Sequence, residues 1–259
     1  MSVSRKLELT SLAGFPMVQP GDDLADQILD ALKANQITLQ DGDVLVLAQK
    51  IVSKAESRLV NLTEVAPTDR ARKVAAFVNK RPELVQLILD ESNEVLRMRP
   101  GTLIVEHRSG FVCANAGIDH SNVSGSWGEP SDWVLLLPED SDLSAQRLRE
   151  QIQAKTGVQV GVLIIDSHGR AWRNGIVGAC IGLAGLPGVV DMRGEKDLNA
   201  YALRVTTIAA ADELAAAASL VMGQAAEGTP VVHVRGFPYP SRDGSAAELV
   251  RKKENDLFR

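Results

Sequence analysis

Blocks of apolar and polar residues along the chain predict a mixture of helices and strands. Within residues 22–35, four apolar side chains recur at helical spacing, which predicts a helix with one buried face. Residues 43–52, by contrast, are almost continuously apolar and follow the turn-like pair Asp41 and Gly42, so they predict a buried strand. The first fifth of the chain therefore contains both kinds of element.

Further helices are predicted by their capping residues. Thr68 is suited to cap the N-terminus of one helix, and Pro82 suits the first turn of the next. Residues 144–156 predict an amphipathic helix that ends at Gly157, since glycine readily adopts the left-handed conformation common after helices. The alanine-rich residues 211–222 predict another helix.

Three more segments predict strands. Residues 102–114 predict a hairpin that turns at Ser109 and Gly110, residues 158–166 predict a second buried strand, and residues 230–236 predict a last one. The chain contains no internal repeat. Together the elements predict an α+β fold of mixed helices and sheets.

Composition narrows the function classes. The 259 residues suffice for one large domain or two modest ones, and 45% hydrophobic residues are ordinary for a globular protein. The net charge of −5 argues against general affinity for nucleic acid or for an anionic membrane. No apolar run is long enough to span a membrane, and the first residues lack the apolar core of a secretory signal. Cys113 and Cys180 lie in apolar segments and are interpreted as reduced core residues, so we expect a cytoplasmic protein.

Two segments contain the strongest candidate chemistry. Residues 113–122 and 160–175 each begin as an apolar, strand-like run and then break into a polar loop, with Asp119 at the first break and Asp166 at the second. Two carboxylates at strand ends are ligands that Mg²⁺ or Mn²⁺ uses beside nucleotide phosphates. Either aspartate alone is explained equally well by the capping of a turn, but the shared setting of the pair favours a metal site.

Known nucleotide-binding signatures are missing, but loops suited to phosphate are present. The sequence has neither a P-loop nor the glycine fingerprint of a Rossmann site. Gly14 and Pro16 lie in a loop shortly before a helix, and residues 222–230 form a small-residue loop whose backbone N–H groups suit an anion. Lys50 and Lys54 are expected at and beyond the end of the first predicted strand, either as phosphate contacts or as solvated surface amines.

These candidates occur in an order that is typical of one family. The segments that carry the resemblance are GFPMVQPGDDLADQI, DGDVLVLAQKIVSKAESR, NAGIDHSNV, IIDSHGRAWRNGIVGACIGLAG, RGEKDLNAYALRVT, ADELAAAASLVMGQAAEGTPVVHVRG and DGSAAELVRKKENDLFR. Nearly end to end, the chain resembles the coenzyme F-420 gamma-glutamyl ligases, the CofE family. It resembles the stand-alone form, without the nitroreductase-like domain that is fused to some relatives. The resemblance implies one ligase unit over residues 1–259, and no boundary between lobes is readable from the sequence.

The resemblance also implies the residues of a nucleotide and metal site. Asp119 matches a metal ligand, and Asp166 with Ser167 matches a second metal-binding pair, which is usually Asp-Thr. Gln224 stands where some relatives carry a metal-binding acid; its carbonyl oxygen is still a ligand, but with one negative charge fewer. The implied nucleotide contacts are Gly14, Phe15, Pro16, Met17, Gln49, Lys50, Lys54, Asn122, Met222, Gly223, Gln224, Ala225, Ala226, Glu227, Gly228 and Thr229.

The activity that the resemblance implies is GTP-dependent addition of L-glutamate to the zero-glutamate form of coenzyme F-420, through gamma-linked amide bonds. GTP would phosphorylate the terminal carboxylate of this deazaflavin to an acyl phosphate, which the glutamate amine would then attack. Asp119 and Asp166 would hold Mg²⁺ or Mn²⁺ between phosphate oxygens, and Lys54 would offset charge on the transferring phosphoryl group. A monovalent cation is a further candidate cofactor, and a homodimer is expected because relatives form dimers.

Two other function classes stay open at this point. One is a different carboxylate–amine ligase on the same scaffold, and the other is a non-catalytic deazaflavin-binding protein, which would not need both aspartates. Surface loop roles are expected for His120 and His168, because Mg²⁺-type sites rarely use imidazole. Trp133 and Trp172 suit either stacking on a guanine or deazaflavin ring or packing in the core.

Overall fold

The structure is a computed structural model that describes residues 4–123, 125 and 127–258. Its strands are β1 (Glu8–Ser11), β2 (Val44–Ala48), β3 (Leu59–Asn61), β4 (Ser92–Arg99), β5 (Thr102–His107), β6 (Val112–Ala114), β7 (Trp133–Leu135), β8 (Gly161–Arg170), β9 (Arg173–Ala184), β10 (Val190–Asp191), β11 (Thr207–Ile208) and β12 (Val231–Arg235). Its α-helices are α1 (Leu24–Ala34), α2 (Gln49–Ala55), α3 (Asp69–Val78), α4 (Pro82–Asp90), α5 (Ser141–Thr156) and α6 (Ala210–Met222). Helices and mixed sheets together confirm the predicted α+β class.

A five-stranded sheet forms the centre, in the order β1-β12-β2-β8-β9. Strands β2 and β8 are parallel, and the other neighbours are antiparallel. Side chains alternate along β2, so that Leu45 and Leu47 pack with α1 and α5 on one face, while Val44 and Val46 pack with α6 on the other. Both faces of the sheet are therefore covered by helices, which explains why its central strands are almost continuously apolar.

A smaller three-stranded sheet, β4-β5-β6, packs with α3 and α4 around a separate apolar cluster. Thr68 caps α3 by accepting a hydrogen bond from the Ala71 backbone N–H, and Pro82 is the first residue of α4, as predicted. The predicted hairpin over residues 102–114 is also confirmed, with its turn closed by a hydrogen bond from Gly110 N–H to His107 O.

Two glycines of β9 allow the helices to lie directly on the central sheet. A Cβ atom on Gly178 would collide with the backbone of α6 at Ala215, and one on Gly182 would collide with Ser141 of α5. Glycine is therefore needed at both positions for close approach of backbone to backbone. Both helices are therefore held directly against β9.

Three predicted boundaries are wrong. The strand predicted over residues 43–52 ends at Ala48, and a short helix begins at Gln49, because the apolar pattern continues through the buried residues of α2. The strand predicted over residues 158–166 begins later and continues to Arg170, since its polar end still pairs with β9. The helix predicted from residue 144 begins at Ser141, where Asp140 caps it.

Other predicted elements agree with the structure. The first predicted helix, over residues 22–35, corresponds to α1, and the last one, over residues 211–222, corresponds to α6. Gly157 ends α5 in the left-handed conformation, with φ of 76°. Cys113 and Cys180 are buried free thiols, and burial raises the pKa of Cys113 to about 12. Over the described ranges, no helix has both the length and the apolar character needed to cross a bilayer.

Candidate functional site

A cavity of about 710 Å³ brings together residues from six separate segments of the chain. We call it the first cavity. Gly14 does not line it, although the next three residues do. The predicted site residues in its wall are Phe15, Pro16, Met17, Gln49, Lys50, Lys54, Asp119, Asn122, Asp166, Ser167, Met222, Gly223, Gln224, Ala225, Ala226, Glu227, Gly228 and Thr229.

The parallel pairing of β2 and β8 explains part of this convergence. Ala48 at the end of β2 lies opposite Ile165 of β8. The next residue of each segment, Gln49 and Asp166, therefore follows the last pair of this register at the same edge of the sheet. Lys50 and Lys54 therefore lie on α2 rather than at and beyond a strand end, which corrects their predicted setting. The loop after α6 closes the same edge, because it leads directly into β12, the other neighbour of β2.

Asp119 is held against a lysine. Its Oδ2 atom lies 2.8 Å from Lys50 Nζ, and its Oδ1 atom accepts hydrogen bonds from the Ser121 backbone N–H and hydroxyl. Burial raises the pKa of Asp119, but the hydrogen bond and the charge of Lys50 outweigh burial and leave this pKa below its usual value. The group is therefore a carboxylate at neutral pH, and a cation already neutralises it.

Asp166 is held against an imidazole inside a strand. It is the sixth residue of β8, so the prediction that it stands where a strand breaks into a loop is wrong. The His168 Nε2–H donates to Asp166 Oδ2 over 3.0 Å, and the side chain of His168 is only 14% exposed. The expected surface loop role of His168 is therefore wrong as well. His120, by contrast, is exposed, as expected.

Ser167 and Gln224 are brought together from distant parts of the chain. The hydroxyl of Ser167 donates to Gln224 Oε1 over 2.7 Å, so two predicted oxygen ligands are neighbours. Among the described residues there is no group of three histidine, cysteine, aspartate or glutamate side chains suited to a metal ion. The donors present are carboxylate, hydroxyl and amide oxygens, which suit a hard ion such as Mg²⁺ that takes its other ligands from water and phosphates.

Lys54 is the most buried cation of the first cavity. Its side chain is 9% exposed, and within the described part of the chain it forms no hydrogen bond or ion pair. Burial, with a further contribution from the charge of Lys50, lowers the pKa of Lys54, while Asp119 opposes this shift. A buried ammonium without a close partner gains strongly from an anionic ligand, which is what phosphate supplies.

The loop of residues 223–229 binds an anion of its own. The Ala225 backbone N–H donates to Glu227 Oε2 over 2.8 Å. The hydrogen bonds of Ala225 N–H, of Glu227's own N–H and of Gln224 N–H hold the pKa of the exposed Glu227 carboxyl below its usual value. Gly223 has a φ of 79°, and a Cβ atom there would collide with the Glu227 side chain. The predicted anion-binding loop is therefore a backbone nest that holds a carboxylate.

A second cavity, of about 890 Å³, adjoins the first. The β5–β6 hairpin, the first turns of α5 and α6, and the C-terminal segment supply its wall. Arg108 and Arg251 contribute positive charge, whereas Asp142 and Asp212 contribute half-buried carboxyls whose pKa values are raised by partial burial. Sequence reasoning did not identify this cavity, because its residues come from distant segments that only the tertiary structure brings together.

The two tryptophans have opposite environments. Trp133 is 9% exposed and packs with Val123 and Leu135, so the core role applies to it. Trp172 is 87% exposed between β8 and β9 and does not line either cavity. Stacking on a ligand in the first cavity therefore finds no support at either tryptophan.

Comparison with known proteins identifies the family of the chain. Residues 14–236 match the family model described as F420-0:Gamma-glutamyl ligase. The chain is 45% identical over 255 residues to the coenzyme F420:L-glutamate ligase of Methanothermobacter thermautotrophicus, covering 98% of this chain and 99% of that protein. Proteins of the same name from Archaeoglobus fulgidus and Methanocaldococcus jannaschii are 43% and 39% identical over 255 residues, and each match covers 98% of this chain and at least 97% of the relative. The chain therefore belongs to the F420-0:gamma-glutamyl ligase family.

Proposed function

We propose that the protein uses GTP and a divalent cation to join L-glutamate to the zero-glutamate form of coenzyme F-420. Membership of the family supports a ligase acting on the coenzyme and glutamate. The proposal adds the nucleotide, the metal and an acyl-phosphate intermediate. The observation that carries it is the first cavity, in which an anion-binding loop, a buried lysine and two carboxylates share one wall.

The residues of this cavity suit phosphoryl transfer to a carboxylate. Amide formation needs an activated carboxylate, because oxide is a poor leaving group. The 223–229 loop would bind nucleotide phosphates through its N–H groups, and Lys54 would offset charge on the phosphoryl group that moves. A divalent ion bound there would supply positive charge that neutralises the phosphates. Asp119, Asp166, Ser167 and Gln224 are the side chains that would hold the ion.

The coenzyme's carboxylate and the glutamate amine have to meet beside the transferring phosphoryl group, and the second cavity supplies the space. It adjoins the first cavity without a phosphate-binding loop of its own. We infer that the glutamate amine or the coenzyme's carboxylate enters from this side, while the nucleotide occupies the first cavity. Catalysis is then positioning and charge stabilisation, with no serine or cysteine nucleophile.

The test combines mass spectrometry with an isotope label. The purified protein is incubated with the zero-glutamate coenzyme, L-glutamate, GTP and Mn²⁺, and the expected product is heavier by one glutamyl unit per addition. ATP in place of GTP, and omission of metal, serve as the comparison arms. A heavy-oxygen label in the coenzyme's carboxylate should pass to the released phosphate, because an acyl phosphate transfers that oxygen. Product formed without nucleotide or metal, or phosphate without label, would contradict the proposal.

A further inference from the structure

His168 is the one residue, among those the structure describes, that lines both cavities. It follows Asp166 by two positions on β8, so both side chains project from the same face of the strand. The pair therefore lies on the partition between the two cavities. Residues two positions apart on a strand lie on the same face, so the sequence could have indicated that Asp166 and His168 are neighbours. That indication depends on knowing that β8 continues past Asp166.

The imidazole is fixed in one orientation. A carboxylate only accepts hydrogen bonds, so the contact of 3.0 Å with Asp166 Oδ2 requires the hydrogen on His168 Nε2. The ring packs on Phe111, with the two ring centroids 5.4 Å apart. Phe111 in turn stacks on buried His107 at 5.0 Å and 9° between ring planes. Because Phe111 also lines the second cavity, the β5–β6 hairpin supports the ring from the side of that cavity.

This support leaves half of the Asp166 carboxylate available. His168 uses only Oδ2, and Oδ1 accepts no hydrogen bond from the residues that the structure describes. Outer partners that hydrogen-bond a metal-binding carboxylate fix its orientation and strengthen metal binding.

We propose that His168 is a positioning residue for the metal site, which holds Asp166 through Oδ2 so that Oδ1 is presented to a divalent cation. The inference rests on the proposed function, because it assumes that Asp166 binds the ion. It assigns a role to a side chain that would contact a ligand of the metal and not the metal itself.

The experiment titrates Mn²⁺ into the protein in the presence of a non-hydrolysable GTP analogue and follows free Mn²⁺ by electron paramagnetic resonance. His168→Leu removes the N–H and is expected to weaken Mn²⁺ binding about 10- to 100-fold, the usual range for loss of such a partner. His168→Gln should retain most of the affinity, because its amide nitrogen lies close to the position of Nε2. His120→Leu is the matched control, since exposed His120 neighbours Asp119 in the sequence but does not hydrogen-bond to it. Its affinity should be unchanged.

Thermal melting without metal separates orientation from folding. If His168→Leu does not fold, His168→Asn gives the same comparison, because its shorter amide does not reach Oδ2. Wild-type affinity in the leucine variant, or equal weakening by leucine and glutamine, would overturn the role of the hydrogen bond while leaving the proposed function intact. A wild-type protein that takes up no Mn²⁺ with nucleotide would refute the metal site itself and this inference with it.

Discussion

The two carboxylates of the first cavity are held in opposite ways. Asp119 follows a short turn after β6 and is neutralised by an ammonium 2.8 Å away, whereas Asp166 is inside the ten-residue strand β8 and accepts from an imidazole. A cation that binds Asp119 has to displace Lys50, but one that binds Asp166 meets a free oxygen. We therefore expect a metal ion to bind Asp166 without displacing another group. Asp119 should become a ligand only when Lys50 leaves it to pair with a phosphate.

The largest expected effect on turnover comes from removing the negative charge of either aspartate. Asp119→Asn and Asp166→Asn should each abolish measurable ligation with the fold intact, because losing one anionic ligand costs about 2–4 kcal/mol of transition-state stabilisation. Turnover at limiting metal is the measurement, and Asp191→Asn, which lies outside both cavities, is the control. Near-normal turnover in one variant alone would assign the metal to the other half of the site.

A smaller effect is expected at the two lysines. Lys54→Ala should weaken GTP binding about tenfold or more, because a charge-assisted hydrogen bond contributes about 1.5–3 kcal/mol. Lys50→Ala should weaken it less, because this variant also frees Asp119 for the metal and so offsets part of the loss. Calorimetric titration of a GTP analogue without Mn²⁺ measures the loss of the lysine–phosphate contact, and the same titration with Mn²⁺ measures the gain from the freed Asp119. Equal, small effects of the two substitutions would mean that the triphosphate lies elsewhere.

The burial of Lys54 also predicts a pH dependence of stability. Its pKa in the folded protein lies below the ordinary lysine value of 10.5, so in the pH range between the folded-state pKa and 10.5 the unfolded chain binds more protons than the folded one. Stability of the wild type should therefore rise with pH across this window relative to Lys54→Met, which is expected to be the more stable protein at neutral pH. Melting temperatures of both proteins from pH 7 to 10 test this, and a constant difference would contradict it.

The smallest effect is expected at Gln224. Glutamate is nearly isosteric and still accepts from the Ser167 hydroxyl, so Gln224→Glu changes charge with little change in packing. One added charge near the ion contributes on the order of 1 kcal/mol, or about fivefold in the Mn²⁺ concentration for half-maximal rate. If the variant needs the same or more metal, Gln224 is not a ligand, and Asp119, Asp166 and Ser167 remain.

Much of the fold was predictable because burial leaves a regular mark on the sequence. Capping by Thr68 and Pro82 and the turn of the 102–114 hairpin depend on local chemistry and were predicted correctly. The end of β2 was not, because a short apolar run fits a buried strand and a buried helix equally well. The extension of β8 to Arg170 depends on pairing with β9, a tertiary partner that periodicity does not reveal.

The candidate site was predictable in its residues but not in its contacts. Family resemblance pointed to residues that line one cavity, although their roles stay predictions. The pairing of Asp119 with Lys50 joins positions far apart in sequence and follows from the sheet register and the α2 helix. The contact of His168 with Asp166 was missed because the strand was expected to end before it.

The carboxylate of Glu227 competes with any incoming anion for the backbone N–H groups of the 223–229 loop. Its N–H groups are already satisfied by an attached anion, so an incoming ligand is exchanged for Glu227 rather than simply added. The apparent dissociation constant is then the intrinsic one divided by the fraction of molecules in which Glu227 has swung out. A singly charged anion gains almost nothing from such an exchange, whereas a polyphosphate, with more charge and further contacts along the cavity, does. For the nucleotide binding proposed above, the exchange with Glu227 would therefore favour a polyphosphate over a singly charged anion.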